Sequence, residues 1–204
     1  TPSVSTGSAT ANARTNIRND SSTSRSVTVI TNIVDATNNV VATGTATQTI
    51  GPNSAFGFNY NTTTVTNPNL WSPDTPYLYT VYTQVKDGAN FVDEHKVRLG
   101  IRSILFNATD GKFYLNGQWI KLRGLDRHES YPYIGRAAPN RLQAKDADML
   151  KYELGVNMMR MSHYPQDPEF LERADEIGLL VLEEIPGWQH IGNLSWQDIS
   201  VENV

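Results

Sequence analysis

The chain has 204 residues, 39% of them hydrophobic, which is enough for one or two domains with real cores and excludes a disordered chain. A formal charge of −4 without any Lys/Arg block argues against a nucleic-acid or anionic-membrane footprint, and no apolar run approaches membrane-span length. Cysteine is absent, which removes disulfides, thiol nucleophiles and thiolate zinc sites together.

From the N-terminus, Ala11, Ala13, Thr15 and Ile17 alternate with Asn12, Arg14, Asn16 and Arg18, the period of two of a half-buried strand. Asn19-Asp20-Ser21-Ser22 breaks it as a turn. The pattern then predicts a β-branched strand over Val27–Val34, a turn at Asn38-Asn39, a strand over Val40–Ile50 ending at Gly51-Pro52, and another over Phe56–Val65. After Asn67-Pro68 and Trp71-Ser72-Pro73, residues Tyr77–Val85 turn at Lys86-Asp87-Gly88 into Phe91–Ile104. Strands at this spacing, with Gly, Pro, Asn and Asp between them, predict an immunoglobulin-like antiparallel β-sandwich over residues 1–103. With no Cys pair to pin it, apolar alternation must hold it together.

Near residue 100 the composition changes from Ser, Thr, Asn and Val to Leu, Met, Glu and Lys at helical spacing, which sets the expected domain boundary. Asp110-Gly111 and Asn116-Gly117 frame Lys112–Leu115 as a small hairpin. Three apolar runs follow, Trp119–Leu125, Val156–Met161 and Leu179–Leu182, each read as a parallel strand. A helix is predicted from Arg141, with Asn140 as cap, Gln143 reaching back to it, Ala147, Leu150 and Leu154 on one face, and Gly155 at its end. A second has Asp167 as cap, Pro168 at its first position, a stripe of Phe170, Leu171, Ala174 and Ile177, and Gly178 at the stop. Ser195 to Asp198 has the capping-box spacing of a third. Strands alternating with helices predict a parallel α/β sheet, and residues 104–204 supply the first three βα units of a (β/α)8 barrel that in full needs about 250 residues. The sequence is therefore expected to be a fragment, with open sheet edges through which it could oligomerise.

Each apolar run ends in ionisable residues: Asp126-Arg127-His128-Glu129, then Arg160-Met161-Ser162-His163, then Glu183-Glu184 with Trp188 and His190 close behind. In open α/β sheets, ligand chemistry gathers at the carboxyl ends of the strands. The first cluster reads equally well as a sugar-binding or acid/base shelf and as a buried ion-pair network in which His128 only orients its neighbours. Arg160, directly after Met158-Met159, is expected to be partly desolvated and to need a carboxylate or an anionic ligand. His163, before Tyr164-Pro165, taken alone reads as a satisfied loop histidine more often than as a ligand. Glu183 and Glu184 invite comparison with the carboxylate pair of glycoside hydrolysis, yet adjacent strand residues point to opposite faces and cannot flank one bond. Trp188, Gln189 and His190 fit a stacking platform for a sugar face, or an aromatic plug. The four histidines, His95, His128, His163 and His190, lack metal-ligand spacing, and no serine-hydrolase elbow or phosphate loop is present.

Taken together, Leu115-Asn116-Gly117, the run Leu122 to Glu129, Arg160-Met161-Ser162-His163-Tyr164-Pro165, and Asp175 to Leu179 with Glu183-Glu184 resemble family 2 glycoside hydrolases, the β-galactosidase and β-glucuronidase group. Leu70-Trp71-Ser72-Pro73, Pro76 to Tyr79 and Gly100-Ile101-Arg102 resemble the end of that family's immunoglobulin-like domain. The resemblance implies a retaining β-glycosidase acting on terminal β-linked sugars, most of all β-galactosides, with β-glucuronidase or β-mannosidase as alternatives. A non-catalytic carbohydrate-binding or interaction module is the alternative from another class. The resemblance further implies that His128, Arg160, His163, Trp188 and His190 belong to the sugar site. The acid/base and nucleophile glutamates would lie beyond the chain, which predicts no turnover by these residues alone. In the galactosidases a histidine in the place of His190 stands near a magnesium ion, but the glutamate two residues earlier is Trp188 here, so no metal and no cofactor is expected. Ser130-Tyr131 replaces the His-His that often follows Arg-His-Glu, which leaves the sugar undecided. A β-linked carbohydrate is the expected partner, with neither nucleic acid nor membrane; the kind of enzyme suggests a bacterial periplasm or the extracellular space.

Overall fold

A computed structural model of the chain describes residues 2–185, 187 and 189–202. The chain divides into two compact units, one running to Ser72 and resuming over Tyr77–Trp119, the other comprising Pro73–Pro76 and the residues from Ile120 onward.

The first unit is an antiparallel sandwich. Its strands are β1 (Ser3–Val4), β2 (Ser8–Thr10), β3 (Asn12–Asn19), β4 (Arg25–Val34), β5 (Val40–Ile50), β6 (Ser54–Asn61), β7 (Val65–Thr66), β8 (Tyr79–Asp87) and β9 (Asn90–Leu99). They form a four-stranded sheet in the order β5-β4-β8-β9, a pair β3-β6 and a small sheet β1-β2-β7. Alternation on β4 explains how it holds without a disulfide: Val27, Val29, Thr31 and Ile33 are all buried, and each apolar one of them contributes about 1.5–3 kcal/mol. Val27 and Val29 pack with Ile50, Phe58 and Val85, and Ile33 packs with Ala9, Ala42, Val65, Tyr79 and Ile101. The Thr31 hydroxyl is satisfied by the Tyr60 hydroxyl at 2.8 Å.

The strand expected over Phe56–Val65 is two strands, because the chain turns in at Thr62. Its buried hydroxyl accepts from the Ala11 amide at 3.2 Å and donates to the Thr63 carbonyl at 3.0 Å, while Thr63 N–H reaches the Thr43 carbonyl at 2.7 Å. The same contact separates β2 from β3 at Ala11.

A second antiparallel sheet, β10 (Ile104–Asn107), β11 (Lys112–Leu115) and β12 (Gln118–Trp119), belongs to the first unit. Asn116 (φ 53°) and Gly117 (φ 76°) make the two-residue turn that pairs Leu115 with Gln118. The Asn116 side chain ties this turn down, donating to the Trp71 carbonyl and accepting from the Ser103 amide, each at 3.0 Å. Trp119 pairs with Tyr114 in this sheet, so the first parallel strand begins at Gly124, not at Trp119 as the apolar run suggested.

The second unit holds a parallel sheet β13-β14-β15: β13 (Gly124–Arg127), β14 (Met158–Met161) and β15 (Leu180–Leu182). Between and after its strands come helices α1 (Asn140–Asp148), α2 (Pro168–Ile177) and α3 (Leu194–Glu202). Ala147, Leu150, Met159, Met161, Phe170, Ala174, Ile177 and Leu179 form its core.

α2 follows its sequence signals: the Asp167 carboxylate accepts from the Glu169 amide at 2.8 Å, and Gly178 closes the helix at φ 77°. α1 does not. Pro139 is its cap, no side chain caps it, and Asn140 donates instead to Glu169 at 3.2 Å while Gln143 is drawn into the interior. α1 also continues as a π-helix over Met149–Glu153 before Gly155. At α3 the cap is Asn193, whose side chain accepts from the Trp196 amide at 3.0 Å, rather than Ser195. Within this unit the Lys151 ammonium donates to the carbonyls of Pro73 and Gly178 at 2.8 and 2.9 Å, which holds the Pro73–Pro76 segment.

Candidate functional site

Alternation along β13 splits the Asp126-Arg127-His128-Glu129 run between two faces of the parallel sheet. Asp126 is the register partner of Arg160 on β14, and Arg160 in turn that of Leu182 on β15. Residues in register share a face, and two residues past Leu182 that face carries Glu184. Arg160 therefore lies between two carboxylates, with Nη1 3.6 Å from Asp126 Oδ1 and Nε bonded to Glu184 Oε1. The second Glu184 oxygen meets His163 Nδ1 at 3.0 Å, and the His128 ring stands edge-on to His163 with centroids 5.4 Å apart. Asp126, Arg160, Glu184, His163 and His128 thus share one rim at the carboxyl ends of three consecutive strands.

Burial acts to raise the Glu184 pKa, but the hydrogen bonds from His163 and Arg160 and their charges outweigh it and hold the carboxyl below its ordinary value. The hydrogen bond between ionised Glu184 and His163 Nδ1 fixes the orientation of that ring. Glu184 cannot act as an acid near neutrality.

On the opposite face, Arg127 is 5% exposed and forms the centre of a buried network. Its guanidinium donates to Asp146 (2.6 Å), Gln143 (2.6 Å), the Tyr131 hydroxyl (2.7 Å) and Gln166, lies 3.6 Å from Glu129, and stacks 4.1 Å from the Phe170 centroid. Five partners offset the several kcal/mol that desolvating a guanidinium costs. Glu129 accepts from the Asp167 amide at 2.6 Å and Glu183 from the Gln166 amide at 2.9 Å, so both carboxylates brace the loop before α2. Burial pushes the Glu183 carboxyl up; the Gln166 amide opposes the shift and the nearby charge of Glu129 adds to it.

Of the residues singled out from the sequence, the structure brings His128, Arg160 and His163 together. His190 stands against Trp196, ring centroids 5.5 Å apart, and among the described residues no contact joins it to the other three. Trp188 lies outside the described residues. Sequence reasoning missed Glu184 as the anchor of Arg160 and His163. The signal available was Arg160 directly after Met158-Met159; its side chain is 37% exposed, less desolvated than that run suggested, but it has the carboxylate. Among the described residues no three His, Cys, Asp or Glu side chains stand close enough to share a metal ion, and the described neighbour of His190 is the Trp196 ring, which offers no ligand.

Two family models match: glycosyl hydrolases family 2 over residues 1–102, and the TIM barrel domain of glycosyl hydrolases family 2 over residues 106–203. A β-galactosidase of Thermoanaerobacter pseudethanolicus is 56% identical over 138 residues, 68% of this chain and 18% of that protein. A β-galactosidase of Thermoanaerobacterium thermosulfurigenes is 49% identical over 147 residues, 72% of this chain and 20% of its own length. Among solved structures, Bacteroides uniformis β-glucuronidase superposes with a TM-score of 0.85 at 30% identity, covering 97% of this chain and 24% of that one. The chain thus spans about a fifth of the length of these curated relatives. Its sandwich is immunoglobulin-like, and its α/β unit is the start of a TIM barrel.

Proposed function

Because the chain belongs to family 2 of the glycosyl hydrolases, we propose that it is part of a retaining β-glycosidase, with terminal β-galactosides as its substrates. The observation that carries this reading is the rim of Asp126, His128, Arg160, His163 and Glu184. Such a row offers acceptors, a guanidinium donor and two imidazole rings side by side, which suits the ring hydroxyls of a sugar. Its charge favours a neutral sugar: two carboxylates against one arginine leave no surplus positive charge for a uronate. β-Glucuronidase is the second reading, supported by the likeness to the Bacteroides uniformis β-glucuronidase structure.

The chain supplies subsite residues and not the reacting pair. Retaining hydrolysis needs a protonated acid about 5–5.5 Å from a free carboxylate nucleophile. Glu184 and Asp126 are committed to Arg160, and Glu183 and Glu129 to backbone amides. Incubation of the 204-residue chain with nitrophenyl β-galactoside and nitrophenyl β-glucuronide is therefore expected to release no nitrophenol. Saturation-transfer NMR is expected to detect galactose in preference to glucuronate, with the signal lost in Arg160→Met. Release of nitrophenol would refute the division of labour, and equal or stronger transfer from glucuronate would refute the preference for neutral sugars.

A further inference from the structure

The outer face of the two-stranded sheet β3-β6 carries a ladder of polar side chains that the α/β unit does not explain. Register places Asn12 beside Asn61, Arg14 beside Asn59 and Asn16 beside Gly57, all exposed, while Ala13, Thr15, Ile17 and Phe58 turn inward. Glycine inside a strand weakens it, and often marks close approach by a ligand. Gly57 leaves a groove of about 590 Å³ lined by Arg14, Thr15, Asn16, Gly57, Phe58 and Asn59.

The hydrogen bonds orient every amide around Asn12. Arg14 can only donate, and its Nε meets Asn12 Oδ1 at 3.1 Å, so the Asn12 amide nitrogen must face the other way. There it donates to Asn59 Oδ1 at 2.8 Å and Asn61 Oδ1 at 3.0 Å. The three amide oxygens around Asn12 are thereby engaged within the array. The guanidinium Nη groups of Arg14 and the amide nitrogens of Asn59 and Asn61 are the donors left over on this face, while the Asn16 amide lays its oxygen over Gly57. A donor face with a fixed guanidinium is complementary to carboxylate, which only accepts.

We propose that this face binds a carboxylate-bearing polysaccharide, the Arg14 guanidinium meeting a uronate carboxylate and the asparagines the neighbouring ring oxygens. From Asn12 to Asn16 the ladder runs about 13 Å, longer than a lone ion needs, and beyond it Arg18 is paired with Asp20 at 2.6 Å. A polynucleotide is disfavoured because the groove offers no exposed aromatic platform for bases. The proposal concerns the sandwich alone and stands whether or not the barrel residues bind a galactoside.

Affinity electrophoresis of the 204-residue chain tests it, through gels holding polygalacturonate, its neutral methyl ester or single-stranded DNA. Retardation is expected in polygalacturonate alone and should weaken as salt rises. Arg14→Met should lower the apparent affinity about fivefold, as loss of an exposed charge-assisted pair does. Gly57→Val should abolish it by filling the groove; its Cβ would meet only the end of the Asn16 side chain, at 3.2 Å, so the strand can keep its fold. Arg25→Met, which breaks the Arg25–Asp87 pair of the four-stranded sheet, should bind as the parent does. No retardation, equal retardation by the methyl ester or DNA, or undiminished binding by Arg14→Met with an unchanged melting curve would each overturn the proposal.

Discussion

Replacing Arg127 by Met tests the division between the two faces of the parallel sheet most directly. The substitution keeps the stem that packs on Phe170 but removes the charge that Asp146, Glu129, Gln143, Gln166 and Tyr131 share. Breaking a buried ion pair from one side costs about 3–5 kcal/mol, because the remaining carboxylate stays desolvated without a partner. Here the Arg127 side chain is 4% exposed, Glu129 14% and Asp146 29%, so the loss should fall inside that range rather than near the value for a surface pair. With a urea slope of about 1–3 kcal/mol/M, the midpoint of the α/β unit should drop by roughly 2 M. The ellipticity at 222 nm reads that unit, since α1, α2 and α3 all belong to it. Arg127→Lys should recover part of the loss, because an ammonium keeps the charge but cannot form the fork. A double-mutant cycle with Asp146→Asn should give a coupling of at least about 1 kcal/mol. A loss below about 1 kcal/mol for Arg127→Met would show that the network is loosely hydrated, and would refute the buried-network reasoning.

Gly178→Ala combines a φ of 77° with a Cβ that would lie 2.5 Å from the Pro73 carbonyl oxygen, so a destabilisation of about 2–4 kcal/mol is expected in the same urea assay. Glu184 titrates below its unfolded value of 4.5, so the stability it contributes is full above pH 4.5 and disappears as pH falls. Melting curves from pH 3.5 to 5.5 should show that slope in the parent and a flatter one in Glu184→Gln. Glu183 has the opposite sign: its folded pKa is raised, so stability falls as pH rises from 4.5 through the folded value. Glu183→Gln keeps an acceptor for the Gln166 amide and should melt higher than the parent at pH 7, with little difference at pH 4.

The sandwich was legible because a period of two survives any tertiary context: Val40–Ile50 was bounded as found, and the burial on β4 follows its alternation. The second helix was legible for a local reason too, since Asp167, Pro168 and Gly178 act on their own backbone. What failed were readings that a distant partner overrules. Asn140 and Gln143 have capping-box spacing, but the Arg127 guanidinium, 16 residues away from Gln143, claims its side chain and leaves the helix uncapped. Nothing between residues 56 and 65 announces that the Thr62 hydroxyl will take the Ala11 amide and break the strand. Trp119 sits in an apolar run, yet the Asn116-Gly117 turn folds it back onto Tyr114.

At the rim the sequence carried the right residue types without their partners. That Arg160 required a carboxylate followed from Met158 and Met159 just before it in sequence; that Glu184 would be the one depends on the offset between β14 and β15, which no local pattern encodes. The two readings of Asp126 to Glu129, ligand shelf and structural network, were posed as rivals, and strand alternation makes them complementary. Asp126 and His128 go to the rim, Arg127 and Glu129 to the network beneath it. Glu129 donates its own amide to the Tyr164 hydroxyl at 3.0 Å, and the Tyr164 ring lies 6.2 Å from His128. Arg127→Met is therefore expected to reach the rim through Glu129 and Tyr164, displacing the His128 ring signals in NMR spectra as the helix face loses stability; unmoved His128 signals would refute that route.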